Sequence, residues 1–237
     1  MTGNLLLHAI PEPDRRELLA GSQTIEMRPR TTLLVPGQDT PYAYFPNDGV
    51  YSTIVHVESG EGVEVGLVGR EGMVGIPLIL AGATPHPYQV VVQGGGTALR
   101  VPRELLMREG LHRSSALQYA ILSYAGLFLA NVSQTAACNR LHRIEQRLAR
   151  WLLDMRLRMD EPTMPMTHEW LALMVGAYRP SVTNALAALA DRGLVRPGRA
   201  ELTILDQEGL EAQSCSCHAS TKTRIEHTLS AIRSAAA

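Results

Sequence analysis

Apolar positions in residues 166–189, MTHEWLALMVGAYRPSVTNALAAL, recur at helical spacing on either side of one glycine. The pattern predicts two short helices around a tight turn, with the second opening on Arg179. Ala172 is small enough to let the helices approach. Gly176 suits a turn conformation that is unfavourable for a residue with a Cβ. Val182 and Leu186 share one face of the second helix and would hold it against the first. Arg179, Ser181, Thr183 and Asn184 are then left on the free face.

Upstream, the pattern changes twice. Residues 5–20 predict an N-terminal helix with Leu5, Leu6, Ile10, Leu18 and Leu19 as its apolar contacts. Residues 24–101 predict strands at Thr31–Val35, Gly49–Val57, Gly62–Val68, Gln89–Gln93 and Thr97–Val101, separated by Gly, Pro, Asp and Asn turns. Val63, Val65 and Leu67 alternate with polar or small residues, as in a half-buried strand. Gly94-Gly95-Gly96 is expected to be a hairpin turn. Short strands at this spacing predict a small barrel or sandwich.

From Pro102 the pattern is helical, with a short helix at Arg103–Glu109 and a long one at His112–Asn139. Leu117, Ile121, Tyr124 and Phe128 recur four, three and four apart, a coiled-coil stripe that predicts a dimer seam. A further helix is predicted over His142–Met159, before Pro162 and Pro165 break the chain. After Leu189, Gly193 fits a helix C-cap. Leu194-Val195 and Leu202-Thr203-Ile204 flank Arg196-Pro197-Gly198-Arg199 as a β-hairpin, which makes a wing behind the helix pair. Residues 207–237 predict a C-terminal helix with a frayed, alanine-rich end.

Composition adds limits. The chain of 237 residues is 19% charged and 45% hydrophobic, an ordinary globular balance. No run of eighteen apolar residues occurs, so no transmembrane helix is expected, and the N-terminus makes a poor signal peptide, so the cytosol is the expected compartment. Three cysteines argue against a disulfide framework. The net charge of −1 is unevenly spread: residues 139–200 carry ten arginines against six acids, whereas residues 1–138 carry nine against twelve. The helix pair therefore sits in the basic segment, and a local positive patch rather than the overall charge governs attraction to phosphate.

A rigid helix with a free polar face suits major-groove reading. Arg179 can donate a bidentate pair to guanine, and Asn184 can pair with adenine or contact phosphate. Ser181 and Thr183 suit phosphate or a thymine methyl. Thr167 is a natural N-cap. His168, Tyr178 and Pro180 complete the candidate surface. Pro180 is tolerable in a first helical turn, where its missing N–H has no partner to lose. Arg196 and Arg199 are candidate phosphate contacts on the wing.

This order of elements resembles the Crp–Fnr superfamily of bacterial transcription regulators over residues 15–210. The most specific part is 167–206, including Arg179, Val182, Leu186, Leu189, Gly193-Leu194-Val195, Arg199, Ile204 and Asp206. Gly37 and Gly49 fit turns of the family's β-roll. Gly69-Arg70-Glu71-Gly72-Met73-Val74-Gly75 matches a segment common in relatives whose effector is not cyclic AMP. The resemblance implies an α+β chain with an N-terminal β-roll (a double-stranded β-helix-like barrel) over 1–111, a dimerisation helix over 112–140, and a C-terminal winged helix-turn-helix with a helical tail over 141–237. It implies a cytoplasmic homodimer that regulates transcription on near-palindromic DNA, with RNA polymerase as a candidate partner and no membrane role. An unidentified effector pocket would involve Gly72, Met73, Gly75 and Asn131.

The chain also departs from the family. Where cyclic-AMP-binding relatives carry a glycine–glutamate pair and then an arginine, Gly75-Ile76-Pro77 and the loop 81–88 offer no arginine to face a phosphate. Cyclic AMP is therefore not expected, and no cofactor is predicted. A four-thiolate iron–sulfur cluster cannot form within one subunit, because no cysteine precedes Cys138. In the recognition helix, Pro180 and Asn184 stand where the catabolite-activator member has a glutamate and a second arginine, so the base preference cannot be carried over.

Cys215-Ser216-Cys217-His218 invites a metal or redox reading. On a helix, however, residues two apart face apart, and no second ligand pair lies nearby in sequence, so half-buried structural cysteines are expected. Cys138 is expected in core or seam. The rival class is a ligand-binding or cupin-like metal enzyme built on the roll, with the helices serving assembly. His56 and His86 would serve it, but the strand region has no His-x-His pair. Nucleophile elbows and phosphate-binding glycine loops are absent, so no catalytic residue is predicted.

Overall fold

The computed structural model describes residues 3–80 and 86–235. The N-terminal segment forms two helices, α1 (Leu5–His8) and α2 (Glu12–Ala20), rather than one. Pro11 separates them with an extended ψ of 145° and cannot donate to a continuing helix.

Seven strands follow: β1 (Gln23–Met27), β2 (Thr32–Leu34), β3 (Tyr42–Pro46), β4 (Val50–His56), β5 (Gly62–Val68), β6 (Gln89–Gly94) and β7 (Gly96–Pro102). They make two antiparallel sheets, ordered β1-β7-β3 and β2-β6-β4-β5. Tyr51 faces Val92 and Val68 in one sheet, and Leu99 faces Phe45 and Thr24 in the other. Phe45, Tyr51, Met73, Val92 and Val101 fill the space between them. The glycine triplet is therefore not a hairpin turn: β6 and β7 belong to different sheets, and Gly95 is the corner between them. Gly37 and Gly49 adopt φ of 77° and 79°. At Gly49 a Cβ would lie 2.5 Å from the Gly94 carbonyl oxygen, so the turn needs glycine. A short helix, α3 (Ile76–Leu80), lies between β5 and β6 in the chain and buries Ile76, Leu78 and Ile79.

Helix α4 (Arg103–Met107) runs into a π-helical turn at Arg108–Arg113 and then α5 (Ser115–Leu141). Ser114 caps α5 by accepting from the Leu117 N–H at 3.0 Å. Leu117, Ile121 and Tyr124 are buried in the roll's own core, and Phe128 packs against it. Leu117, Ile121 and Tyr124 thus bind the helix to the roll and do not stand free as a seam, whereas half-buried Phe128 also lines an open apolar groove. The stripe that α5 leaves open is Tyr119, Leu122, Gly126 and Leu129. By length and mean hydropathy α5 is apolar enough to span a membrane, unlike the expectation from apolar runs. In the fold, one of its faces is core.

Helix α6 (Ile144–Arg156) leads to β8 (Thr163–Pro165), α7 (His168–Val175), α8 (Arg179–Asp191), β9 (Val195–Pro197), β10 (Glu201–Ile204) and α9 (Gln207–Gln213). The wing has three strands, ordered β8-β10-β9, because the Pro162–Pro165 segment pairs with β10 instead of only breaking the chain. Trp151, Leu152, Leu171, Val182, Leu186 and Leu202 form a second core, which continues into Val50, Ile54, Leu67 and Val91 of the roll. The final helix, α10 (Cys217–Ala235), returns along α5. Ile225, Leu229 and Ile232 enter the roll's core, so this tail packs with the N-terminal unit and stays helical to Ala235.

Candidate nucleic-acid interface

Helix α7 begins where Thr167 turns its hydroxyl oxygen to accept from the Trp170 N–H at 3.2 Å. It ends at Gly176, in the left-handed conformation with φ 56° and ψ 51°. Arg147 of α6 donates to the Gly176 carbonyl at 3.0 Å and also to the Val175 carbonyl, satisfying acceptors that the helix end leaves open. A Cβ on Gly176 would meet Val63 Cγ2 at 2.6 Å, so glycine also permits the turn to lie against the roll.

Tyr178 is the N-cap residue of α8, and it is 77% exposed. Pro180 lies in the first turn, where helix geometry tolerates it. Val182, Ala185, Leu186 and Leu189 are buried, and Gly193 ends the helix at φ 73°. Arg179, Pro180, Ser181 and Asn184 are exposed together on the opposite face.

Thr183 departs from the expected free face. It is half-buried, and its hydroxyl donates to the Arg179 carbonyl at 3.1 Å. With that proton used, Thr183 accepts from His168 Nδ1 at 3.1 Å, so both side chains are engaged in joining α7 to α8. Arg196 and Arg199 are exposed on the wing.

The expected effector residues do not surround one cavity. A Cβ on Gly72 would sit 2.1 Å from the Tyr124 ring, so that position is filled by aromatic packing. Met73 is buried, and with Gly75 it lines a void of about 10 Å³, near the size of one water. Asn131 lies elsewhere and accepts from Arg224 Nε at 3.3 Å. The part of the loop at 81–85 lies outside the described residues. His56 pairs with Gln89 Oε1 at 2.8 Å and His86 is buried elsewhere in the roll, and neither joins a group of three or more potential metal ligands among the described residues.

Sequence reasoning missed the attachment of this unit to the roll. The indole of Trp151 donates to Glu64 Oε1 at 2.8 Å, and that of Trp170 donates to Gln93 Oε1 at 2.5 Å. These are the chain's two tryptophans, and a buried indole needs an acceptor. That need was the available signal, but it does not name the partner. Burial pushes the Glu64 carboxyl up to about 8, against the opposing hydrogen bonds from Ser52 and Trp151.

A family model describes the same unit. Residues 146–213 match the Crp-like helix-turn-helix domain. The segment is a Crp-like helix-turn-helix domain. No curated protein matches the chain. Among solved structures, it is similar to a CRP/FNR-family transcriptional regulator from Thermus thermophilus, with a TM-score of 0.66 and 21% identity over 81% of this chain and 98% of that one. It is also similar to the c-di-GMP responsive global regulator CLP of Xanthomonas campestris, with a TM-score of 0.67 and 18% identity over 82% and 99% of the two chains. FixK2 from Bradyrhizobium japonicum gives a TM-score of 0.68 at 14% identity, covering 82% and 98%. The Crp-like domain therefore lies in the C-terminal half of a chain with the CRP/FNR fold.

Proposed function

We propose that this protein is a homodimeric, sequence-specific DNA-binding transcription regulator of the cytoplasm, and not an enzyme. The observation that carries the reading is the face of α8 on which Arg179, Ser181 and Asn184 stand exposed while Val182, Ala185, Leu186 and Leu189 are buried. Arg179 contacts a guanine edge and Asn184 an adenine or a phosphate, while Ser181 and the wing's Arg196 and Arg199 contact the backbone. Tyr178 and Thr167 lie at the two helix starts and border the same surface. His168 and Thr183 brace the two helices, a role supported by their mutual hydrogen bond.

Dimerisation runs along the open stripe of α5. Ser115, Tyr119, Leu122, Gly126, Leu129, Ser133 and Ala136 are all exposed and alternate four and three apart. Gly126, Ser133 and Ala136 are small, which favours close approach of a second helix. The stripe borders an open apolar groove of about 620 Å³ that includes Val55, Val65 and Leu80 of the roll. In this reading an effector on the roll shifts the placement of the DNA-binding units, which requires different affinities for the two arrangements. Cyclic AMP is not that effector, since no lysine or arginine stands between Arg70 and Arg100 to meet its phosphate. RNA polymerase is the further partner at a regulated promoter.

Selection of bound fragments from random duplex DNA tests the reading. The expected product is a near-palindrome with half-sites about one helical turn apart. Retention of all fragments alike, at every salt concentration, would overturn it.

A further inference from the structure

Three cysteines come together away from the DNA face. Cys138 lies near the end of α5, Cys215 lies in the link between α9 and α10, and Cys217 opens α10. All three are buried, at 0%, 5% and 2% exposure. The spacing of Cys215 and Cys217 would make them face apart on one helix. The helix in fact starts only at Cys217, so the link at Cys215 turns its sulfur toward the same point.

The fourth member is His142, the C-cap residue of α5. It follows Cys138 by four residues, so both side chains leave one face of the helix end. Cys138 Sγ is 3.5 Å from Cys215 Sγ, and Cys217 Sγ is 3.7 Å from His142 Nδ1. The three sulfurs and one imidazole nitrogen all lie within 4.8 Å of one another.

We propose that Cys138, His142, Cys215 and Cys217 form a mononuclear, tetrahedral Cys₃His site for zinc. Zinc bond lengths of about 2.3 Å to sulfur and 2.0–2.1 Å to nitrogen give tetrahedral edges of about 3.8 Å between sulfurs and 3.6 Å between sulfur and nitrogen. The two measured separations lie within a few tenths of an ångström of those edges. An iron–sulfur cluster places its own irons and sulfides between the ligands and needs them farther apart. Buried thiols alone could be apolar packing. A histidine nitrogen directed at one of the sulfurs is what separates this group from packing.

The surroundings fit the ion's charge. Three thiolates and a neutral imidazole leave a zinc site with one net negative charge. Arg150, buried on α6 and ion-paired to Asp154 at 3.0 Å, also interacts electrostatically with Cys138, and so does Arg147. Gln134 Nε2 donates to Cys217 Sγ at 3.1 Å, the type of outer hydrogen bond that orients and stabilises a metal-bound thiolate. With four protein ligands the site has no open position, which makes it structural rather than catalytic. Binding releases the thiol protons to solvent and changes no oxidation state.

The test is metal analysis of the full-length protein, purified with a thiol reductant, incubated with zinc and desalted. The expected result is about one zinc per chain, replaceable by cobalt(II) with the visible spectrum of a tetrahedral thiolate–imidazole complex. His142→Gln alters a half-buried corner and should keep the fold by circular dichroism. It should weaken zinc binding by at least about 100-fold, since loss of a ligand exceeds the 10–100-fold effect of losing an outer partner. Cys217→Ser should abolish the cobalt spectrum, and Ser216→Ala should leave it intact. Folded wild-type protein with three titratable free thiols and no bound zinc would overturn the proposal. So would zinc bound equally by wild type and His142→Gln, or a Cys138–Cys215 disulfide in protein whose thiols were trapped at lysis.

Discussion

The indole N–H of Trp151 on α6 donates to Glu64 Oε1 on β5 at 2.8 Å, joining the DNA-binding unit to the roll through a fully buried carboxyl. Burial raises that carboxyl to about 8, above its value in an unfolded chain. The native protein therefore holds a proton there that the unfolded chain releases. The associated stability is complete below the ordinary carboxylate range and declines as pH rises through about 8. Between about pH 5 and 8.5, the unfolding free energy read from denaturation curves should fall with rising pH by an amount on the order of a few kcal/mol. Glu64→Gln should flatten that slope. A slope unchanged in the variant would assign it to other groups.

Arg179→Ala removes an exposed side chain. Affinity for the selected operator should fall on the order of 10–100-fold, and affinity for random DNA far less. Arg196→Ala should instead lower both, with a shallower dependence on salt. Titrations at two salt concentrations distinguish these outcomes. Equal losses on both DNAs would make Arg179 a phosphate contact.

Leu129 is 66% exposed and Ile121 is 2% exposed on the same helix. Leu129→Glu should yield a folded monomer by sedimentation analysis. Ile121→Glu should lose the fold, because it buries an unpaired charge. A dimer that survives Leu129→Glu together with Leu122→Glu would remove this stripe from the interface.

Gly176→Ala places a methyl 2.6 Å from Val63 Cγ2 at a positive φ. The melting temperature should drop by at least about 2–4 °C, for a loss of roughly 1 kcal/mol or more. Adding Val63→Ala should recover the part due to contact with the roll. No recovery would leave backbone conformation as the whole effect.

Cyclic AMP at millimolar concentration should leave operator affinity and the calorimetric baseline unchanged. Saturable binding heat would mean that another part of the roll supplies the missing cation.

The helix-turn-helix was legible because its signals are local. Val182, Leu186 and Leu189 repeat at helical spacing, Thr167 and Gly176 mark helix ends, and Arg179 falls opposite the apolar face. Which stripe of α5 is core was not legible, because the helix carries two with the same alternation. Leu117-Ile121-Tyr124-Phe128 and Leu122-Gly126-Leu129 both have coiled-coil spacing, and only tertiary packing decides which is core. That the four candidate effector residues do not line one cavity was not legible for a related reason, since a glycine such as Gly72 can serve a ligand or a neighbouring ring equally well. Cys138 and Cys215 are 77 positions apart, and the spacing rules for ligand pairs see only neighbours in the chain.

The segment from α6 to α9 leaves α5 at the His142 corner, and the chain then returns to α5 along the whole of α10, seating Ile225, Leu229 and Ile232 in the roll's core. Besides the core it shares with the roll, the DNA-reading unit is thus tied by two covalent straps, not one. A body on a single strap can swing freely about it, but a body on two can only rock, unless one strap is peeled away. Any signal passing from roll to DNA must therefore act through a small tilt or through release of α10.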